Sequence, residues 1–303
     1  MKKVTYILLA ICFMVFAGNH VLAQNEDLLK LVKEDSVKKK QWVTGAFKST
    51  RVINGQSMEM LGKGVLDVRI LHRFGLVSSG AKEFFGLDEA NMRLGFDYGL
   101  GTNLSVGVGR STLNKELDGF LKYRFLRQSS GPGSFPLSVI GVAGMTVNTL
   151  PYTDTSRKNY FSSRIAYYYE VIIGRKITEA FSLQVSPIMV HRNLVALSDQ
   201  DNNTFALGIG ARMKLSKRTA FVVDYHPILS GREPGTKDPL SMGFDIETGG
   251  HVFQLHFSNS TGMNEKAFLT GTTYDFWRGD IRFGFNLSRV FQVAGRKHDK
   301  HTY

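Results

Sequence analysis

Cysteine is almost missing from this 303-residue chain: its only one, Cys12, lies in the apolar stretch near the start. Phe13 to Ala17 continue that stretch, so Cys12 is badly placed to be the lipid-bearing first residue of a mature lipoprotein. Disulfides, thiolate metal sites and cysteine nucleophiles drop out of consideration. Long hydrophobic runs are also missing. After the first two dozen residues no stretch approaches the roughly 18 apolar residues that a membrane-crossing helix needs. Proline is scarce at 7, against 31 glycines, 22 phenylalanines and 11 tyrosines, a balance that suits many regular strands.

What is present first is an export signature. Lys2 and Lys3 precede the apolar run Val4 to Ala17, and Val21-Leu22-Ala23 ends in the small-x-small manner. This predicts a signal peptide over 1–23, cut before Gln24. The whole chain carries 38 Lys+Arg against 26 Asp+Glu; without Lys2 and Lys3 the balance is 36 − 26 = +10. The basic residues are scattered along an exported chain, so nucleic acid is not expected as a partner. Residues 24–41 read as a leader or short helix, with Leu28, Leu31, Val32 and Val37 at helical spacing.

From Trp42 the period becomes two. Met92, Leu94, Phe96 and Tyr98 alternate with Arg93, Gly95 and Asp97; Phe205, Leu207, Ile209, Ala211 and Met213 alternate with Gly208, Gly210, Arg212 and Lys214. One face of each segment is apolar and the other polar or glycine. The polar face mixes small residues with isolated charges, and aromatics collect near segment ends. That is the pattern of a transmembrane barrel with lipid outside and a polar lumen. The expected fold is an all-β, antiparallel up-and-down barrel over 42–303, of about twelve strands (10–14). Short turns at 100–103, 175–180 and 215–218 would face the periplasm. Long loops at 75–89, 149–159, 195–203 and 230–248 would face outward. An even count needs a strand over 267–276. Residues 44–61, with a hairpin signal at Asn54-Gly55, are left as an additional hairpin or a periplasmic element.

Several stretches resemble an uncharacterised family of outer-membrane β-barrel proteins found in Bacteroidetes: KSTRVINGQS (48–57), GLDEANMRLGFDYGLGTNLSVGVGRS (86–111), DGFLKYRFLRQ (118–128), GGHVFQLHFSNSTGM (249–263) and GDIRFGFNLSRVF (279–291). The resemblance covers most of the chain beyond the signal. It implies a membrane-bound barrel of unknown role and carries no catalytic residue across.

The most general functional feature is charge on the lumen face. By strand parity Arg93, Lys122, Arg124, Arg164, Arg192, Arg212, Lys214 and Arg282 point inward, with Asp97, Asp118, Glu170 and Asp224 as partners. Such charges either brace the interior through Arg–carboxylate pairs or line a narrow pore that favours anions. A second class of function centres on His256 and Ser258, which share a strand face, so that the imidazole could take the hydroxyl proton. HFSNSTG (256–262) is similar to the His-x-Ser-Asn-x-x-Gly portion of outer-membrane phospholipases, but Phe253 stands where their preceding glycine belongs. Parity puts His256 near the periplasmic end of the lumen.

His72, His191, His226 and His251 stand singly, and no metal or other cofactor is expected. Asp199 to Asn203 opens like a calcium loop but has Thr204 in place of the required glycine. Arg278-Gly279-Asp280 reads as a turn. The expectation is a monomeric, non-enzymatic outer-membrane protein, a channel or transport component or a scaffold. Its candidate partners are outer-membrane lipid, a small anionic solute and a periplasmic protein.

Overall fold

The computed structural model describes residues 40–153, 155–156, 158–195, 197 and 199–295. The signal segment and all of the leader before Lys40 lie outside the described residues. Twelve antiparallel strands close into a barrel: β1 (Val65–Leu76), β2 (Ala90–Gly99), β3 (Leu104–Ser111), β4 (Glu116–Leu126), β5 (Ser138–Asn148), β6 (Ile165–Lys176), β7 (Phe181–Arg192), β8 (Asn203–Lys214), β9 (Thr219–Tyr225), β10 (Leu240–Thr248), β11 (His251–Ser258) and β12 (Arg282–Gln292). Neighbours in sequence are neighbours in the sheet, and β12 pairs with β1 from Arg282↔Leu76 to Gln292↔Val65 to shut the ring. Closure leaves no open edge, so every strand can hydrogen-bond on both sides without water. Pro227, which has no N–H to give, ends β9; Ile228–Ser230 continues along β8 in a shifted register.

Burial along the strands runs opposite to that of a water-soluble protein. In β1 the buried positions are Asp67, Arg69, Leu71 and Arg73, while Val68, Ile70 and Phe74 face outward. Elsewhere Phe96, Val108, Leu121, Tyr123, Phe125, Tyr169 and Phe253 are exposed, and Arg93, Asp97, Asp118, Lys122 and Glu170 are buried. Large apolar side chains around the whole outer wall would be untenable in water. In hydrocarbon they are solvated, and the polar groups meet one another inside.

Two expectations about the segments are corrected. Residues 240–248, expected as part of an outer loop, form β10. Residues 267–276, expected as a strand, contain instead the last five residues of a helix, α1 (Glu265–Gly271), folded into the barrel. Asn264 caps this helix by accepting the N–H of Ala267 at 2.8 Å. Ala267, Phe268 and Leu269 are consecutive and all buried, as in an element surrounded on every side. The two changes cancel in the count of twelve.

Residues 44–61, expected as an additional hairpin or a periplasmic element, do fold back as a short hairpin at Thr50–Ser57, but inside the barrel and not as a periplasmic element. They fill the lumen. Arg51 to Met58 are all buried, with Ile53 and Ser57 fully so. This plug enters from the end where β1 begins and β12 finishes, called here the near end. Before it, Gln41–Trp42 pairs with Ser129–Ser130 in the β4–β5 connection. Together Phe47, Val52 and Met58 of the plug and Phe268 of α1 join Phe120, Ile140 and Tyr168 of the wall in one apolar cluster. Full burial of such side chains contributes roughly 1.5–3 kcal/mol each.

Gly64 joins plug to barrel. Its φ is +76°, its N–H donates to Gly99 O at 2.8 Å, and its carbonyl accepts from Val293 N at 2.9 Å. A Cβ here would sit 1.9 Å from the Ala294 carbonyl oxygen. Gly64→Ala therefore combines backbone strain of about 1–3 kcal/mol with a backbone collision. The urea midpoint of the refolded barrel is expected to fall clearly; an unchanged midpoint would contradict the junction described here.

A plugged lumen as the candidate functional site

The plug turns at Val52 to Gly55, where Val52 N donates to Gly55 O at 2.9 Å and Arg51 bridges to Gln56. The sequence signal Asn54-Gly55 suggests a type I′ turn, yet neither residue has positive φ. A carboxylate shapes the bend instead. Asp224 Oδ2, from β9, accepts the backbone N–H groups of Ile53 (3.2 Å), Asn54 (2.7 Å) and Gly55 (3.0 Å). Three successive amides on one oxygen form an anion nest. Gly55 serves close approach, since a Cβ there would lie 2.8 Å from His226 Nε2.

Much of the rest of the plug backbone is satisfied by side chains of the wall, and Ala46 and Phe47 donate to Glu59 within the plug. Gln184 of β7 reads two plug groups, accepting from Met58 N (2.9 Å) and donating to Gln56 O (2.7 Å). Gln254 of β11 donates to Val52 O (2.6 Å), and Asn286 of β12 to Ile53 O (2.9 Å). Lys122 of β4 donates to Ser57 O (2.7 Å), and Arg212 of β8 to Ala46 O (3.2 Å). Arg73 of β1 donates to the Asn54 side-chain oxygen (2.6 Å). A buried backbone without regular structure is stable only when its polar groups are paired in this way.

Plug and α1 meet at one ion pair. Arg51 Nη1 lies 2.9 Å from Glu265 Oε1, both side chains 1% exposed, and also donates to Asn54 O at 2.5 Å. Phe268 packs on His226, ring centroids 4.8 Å apart, above the nest. The segment entering from the near end and the helix entering from the far end are therefore fastened to each other in mid-lumen.

The charges expected to face inward divide into groups. Lys122, Arg212 and Asp224 bind the plug. Arg93 pairs with Asp118, its Nε 2.8 Å from Oδ1. Asp97 is buried 3.7 Å from Arg69, and Glu170 is buried on β6. Arg124 is half-buried by a small near-end recess beside Glu59 and Arg127. Arg282 is buried near the far rim, donating to Phe74 O at 3.2 Å. Lys214 departs from the expectation: it is exposed at the near rim, because the lumen ends before the strand does. Arg164 and Arg192 stand at the far end, where they line an open vestibule of about 650 Å³ above α1.

His256 also moves. With β10 in place, β11 runs from the near end towards the far end, so His256 sits level with Arg73 in the far half of the lumen, not at the near end. Ser258 Oγ accepts from Ser241 Oγ (2.8 Å) and Ser260 N (3.0 Å), while His256 Nδ1 lies 3.3 Å from Gln254 O. The two side chains share no hydrogen bond and are buried, at 1% and 0% exposure, behind the plug. His72 stacks on Phe285 on the outer wall, and His191 bonds Asn203 at the rim. His251 lies beside Phe253, and Asp201 offers its carbonyl to Arg192. Among the described residues no group of three or more His, Cys, Asp or Glu is placed to hold a metal.

Sequence reasoning missed Gln184, Gln254 and Asn286 as functional residues. Parity places them inside, but a neutral amide gives no sign of what it grips. Arg51 and Glu265 were hidden because neither belongs to a strand.

Residues 47–291, which take in all but the first three residues of the plug, match the family described as membrane bound beta barrel domain (DUF5777). None of the curated proteins matches the chain. Among solved structures it is similar to the NanC porin, with 10% identity, 74% of this chain and 98% of that one covered and a TM-score of 0.47. It is also similar to an outer membrane channel from Pseudomonas putida F1 (13%, 78% and 98%, 0.42) and to LpxR from Salmonella typhimurium (12%, 75% and 99%, 0.33). The family match carries the assignment: this chain belongs to the membrane-bound β-barrel family DUF5777.

Proposed function

We propose that this protein is a monomeric, non-enzymatic barrel of the outer membrane, a narrow passage for small polar solutes that its own N-terminal plug keeps shut. The near end faces the periplasm in this reading, because the shortest turns lie there and the longest loops at the other end. The observation that carries the proposal is how the plug is attached. It is held by side-chain hydrogen bonds from a polar wall and is covalently continuous with the barrel only through residues 62–64. A seal of this kind releases as a unit when its N-terminal side is drawn into the periplasm, and it leaves Lys122, Arg212, Arg73 and the Arg93–Asp118 pair facing the lumen. The periplasmic partner of the reading is whatever engages the leader.

The test is conductance in planar bilayers. A chain lacking residues 43–60 is expected to give steady unitary currents, and the intact chain brief, rare ones. Val52→Cys with Gly210→Cys supplies a lock, since a Cβ at 210 lies 2.8 Å from Val52 Cγ2. Oxidised, the pair should silence the intact chain, and a reductant should restore its openings. A folded deletion variant without unitary currents would end the passage reading and leave a membrane scaffold. Should the deletion not fold, openings that persist in the oxidised pair end it equally.

A further inference from the structure

We propose that the far-end vestibule is a recognition site for a small organic anion, a carboxylate or phosphate head on an apolar or ring-shaped body. The cavity of about 650 Å³ has the size of a small-molecule site. It is no part of the plug's attachment, and the plugged-passage reading does not use it.

Among the described residues three cationic side chains line it: Arg164, where β6 begins, Arg192, where β7 ends, and Lys266, on α1. One carboxylate, Glu233, lines it with them, paired to Arg192. A second, Glu116, stands behind Lys266 at 1% exposure, its oxygens taken by Lys266 Nζ (2.5 Å) and Asn264 Nδ2 (3.0 Å). Among the described residues positive charge therefore exceeds negative even with Glu116 counted. A concave wall of low dielectric focuses that excess on whatever enters.

The cations are also ordered. The Arg164 guanidinium lies 3.6 Å over the Tyr152 ring, and Arg164 Nη1 donates to the carbonyls of Asn148 (3.0 Å) and Leu150. Arg192 Nη2 donates to Asp201 O (2.9 Å), and its Nε is buried with no partner among the described residues. Side chains fixed before a ligand arrives lose little entropy when it binds. Leu113, Leu150, Leu194 and the Tyr152 ring supply the apolar part of the same lining, which a bare inorganic ion would leave unused. Asn114 and Thr270 add polar groups at its margin.

This inference names a solute class for the passage proposed above and rests on that reading only for transport; binding is tested separately. Titration calorimetry on the detergent-solubilised full chain would compare benzoate with benzyl alcohol, glucuronate with glucose, and inorganic phosphate alone. The anions of the two organic pairs are expected to bind at least about tenfold more tightly than their neutral partners, and less tightly as salt rises. Arg164→Gln and Lys266→Gln should each weaken anion binding about tenfold without changing the heat-shifted gel mobility of the folded barrel. Lys217→Gln, on a near-end turn, should leave binding as it is.

Equal binding of neutral and anionic probes, no binding by any probe, or anion binding indifferent to both variants would overturn the assignment. Anion binding in a chain that never conducts would keep the vestibule and end the passage. Currents without anion binding would do the reverse.

Discussion

Replacing Asp224 with alanine is expected to free the plug. The substitution removes the carboxylate, and with its Oδ2 the acceptor of three buried amides, those of Ile53, Asn54 and Gly55. Each unsatisfied buried donor costs roughly 1–3 kcal/mol, so the plugged state should lose about 3 kcal/mol or more relative to an open one. Hydrogen exchange reads this directly. The three amides should exchange at least about a hundredfold faster, while amides in the β1–β12 ladder keep their protection. A thiol introduced by Ser57→Cys, fully buried in the intact protein, should become accessible to a maleimide in the Asp224→Ala background. Asp224→Asn retains an accepting oxygen and should show a smaller effect of the same sign. If exchange at 53–55 did not change, the carboxylate would not be what shapes the turn.

The second large effect is expected at Arg51 and Glu265. Removing one member of a buried pair leaves an uncompensated charge, at a cost of about 3–5 kcal/mol. Glu265→Leu alone strands Arg51, a cation that cannot shed its proton at accessible pH. Arg51→Met alone strands Glu265 beneath the vestibule. Both singles should lower the urea midpoint and unsettle plug and helix together. The double variant should recover most of the loss, since a well-packed apolar pair of similar volume is often as stable as the ions it replaces. A double variant as damaged as the sum of the singles would show that the two residues act independently. The pair would then not be the fastening between the two ends.

How far the sequence foretold this structure depended on the physical origin of each signal. Strand faces were legible because hydrocarbon demands an apolar outer wall at every second residue, as Met92, Leu94 and Phe96 display. β10 was not, although Met242, Phe244 and Ile246 alternate with Ser241, Gly243 and Asp245: Pro234 and Pro239 lead into it and made the whole stretch read as loop. The segment containing Ala267 to Gly271 failed for a different reason. Over so few residues an apolar run cannot be told apart as strand or helix, and an element buried on all sides has no polar face to give a period. Missing β10 also turned His256 towards the wrong end. Lumen charges could be read from parity alone, but not what they hold. Val52-Ile53-Asn54-Gly55-Gln56-Ser57 is bound mainly by its backbone, and a backbone leaves no mark in a sequence.

The seam between β12 and β1 has a consequence for how the protein is made. The wall cannot shut until residues 282–292 have arrived, yet the segment it must contain is synthesised before the first strand of that wall. The occupant is thus ready long before its enclosure, tied to the doorpost by Gly64. Nascent carbonyls at 46, 52, 53, 56 and 57 meet their wall donors from strands β4, β7, β8, β11 and β12, so the contents draw staves from around the circumference towards a common axis. Contacts so distant along the chain make for slow formation.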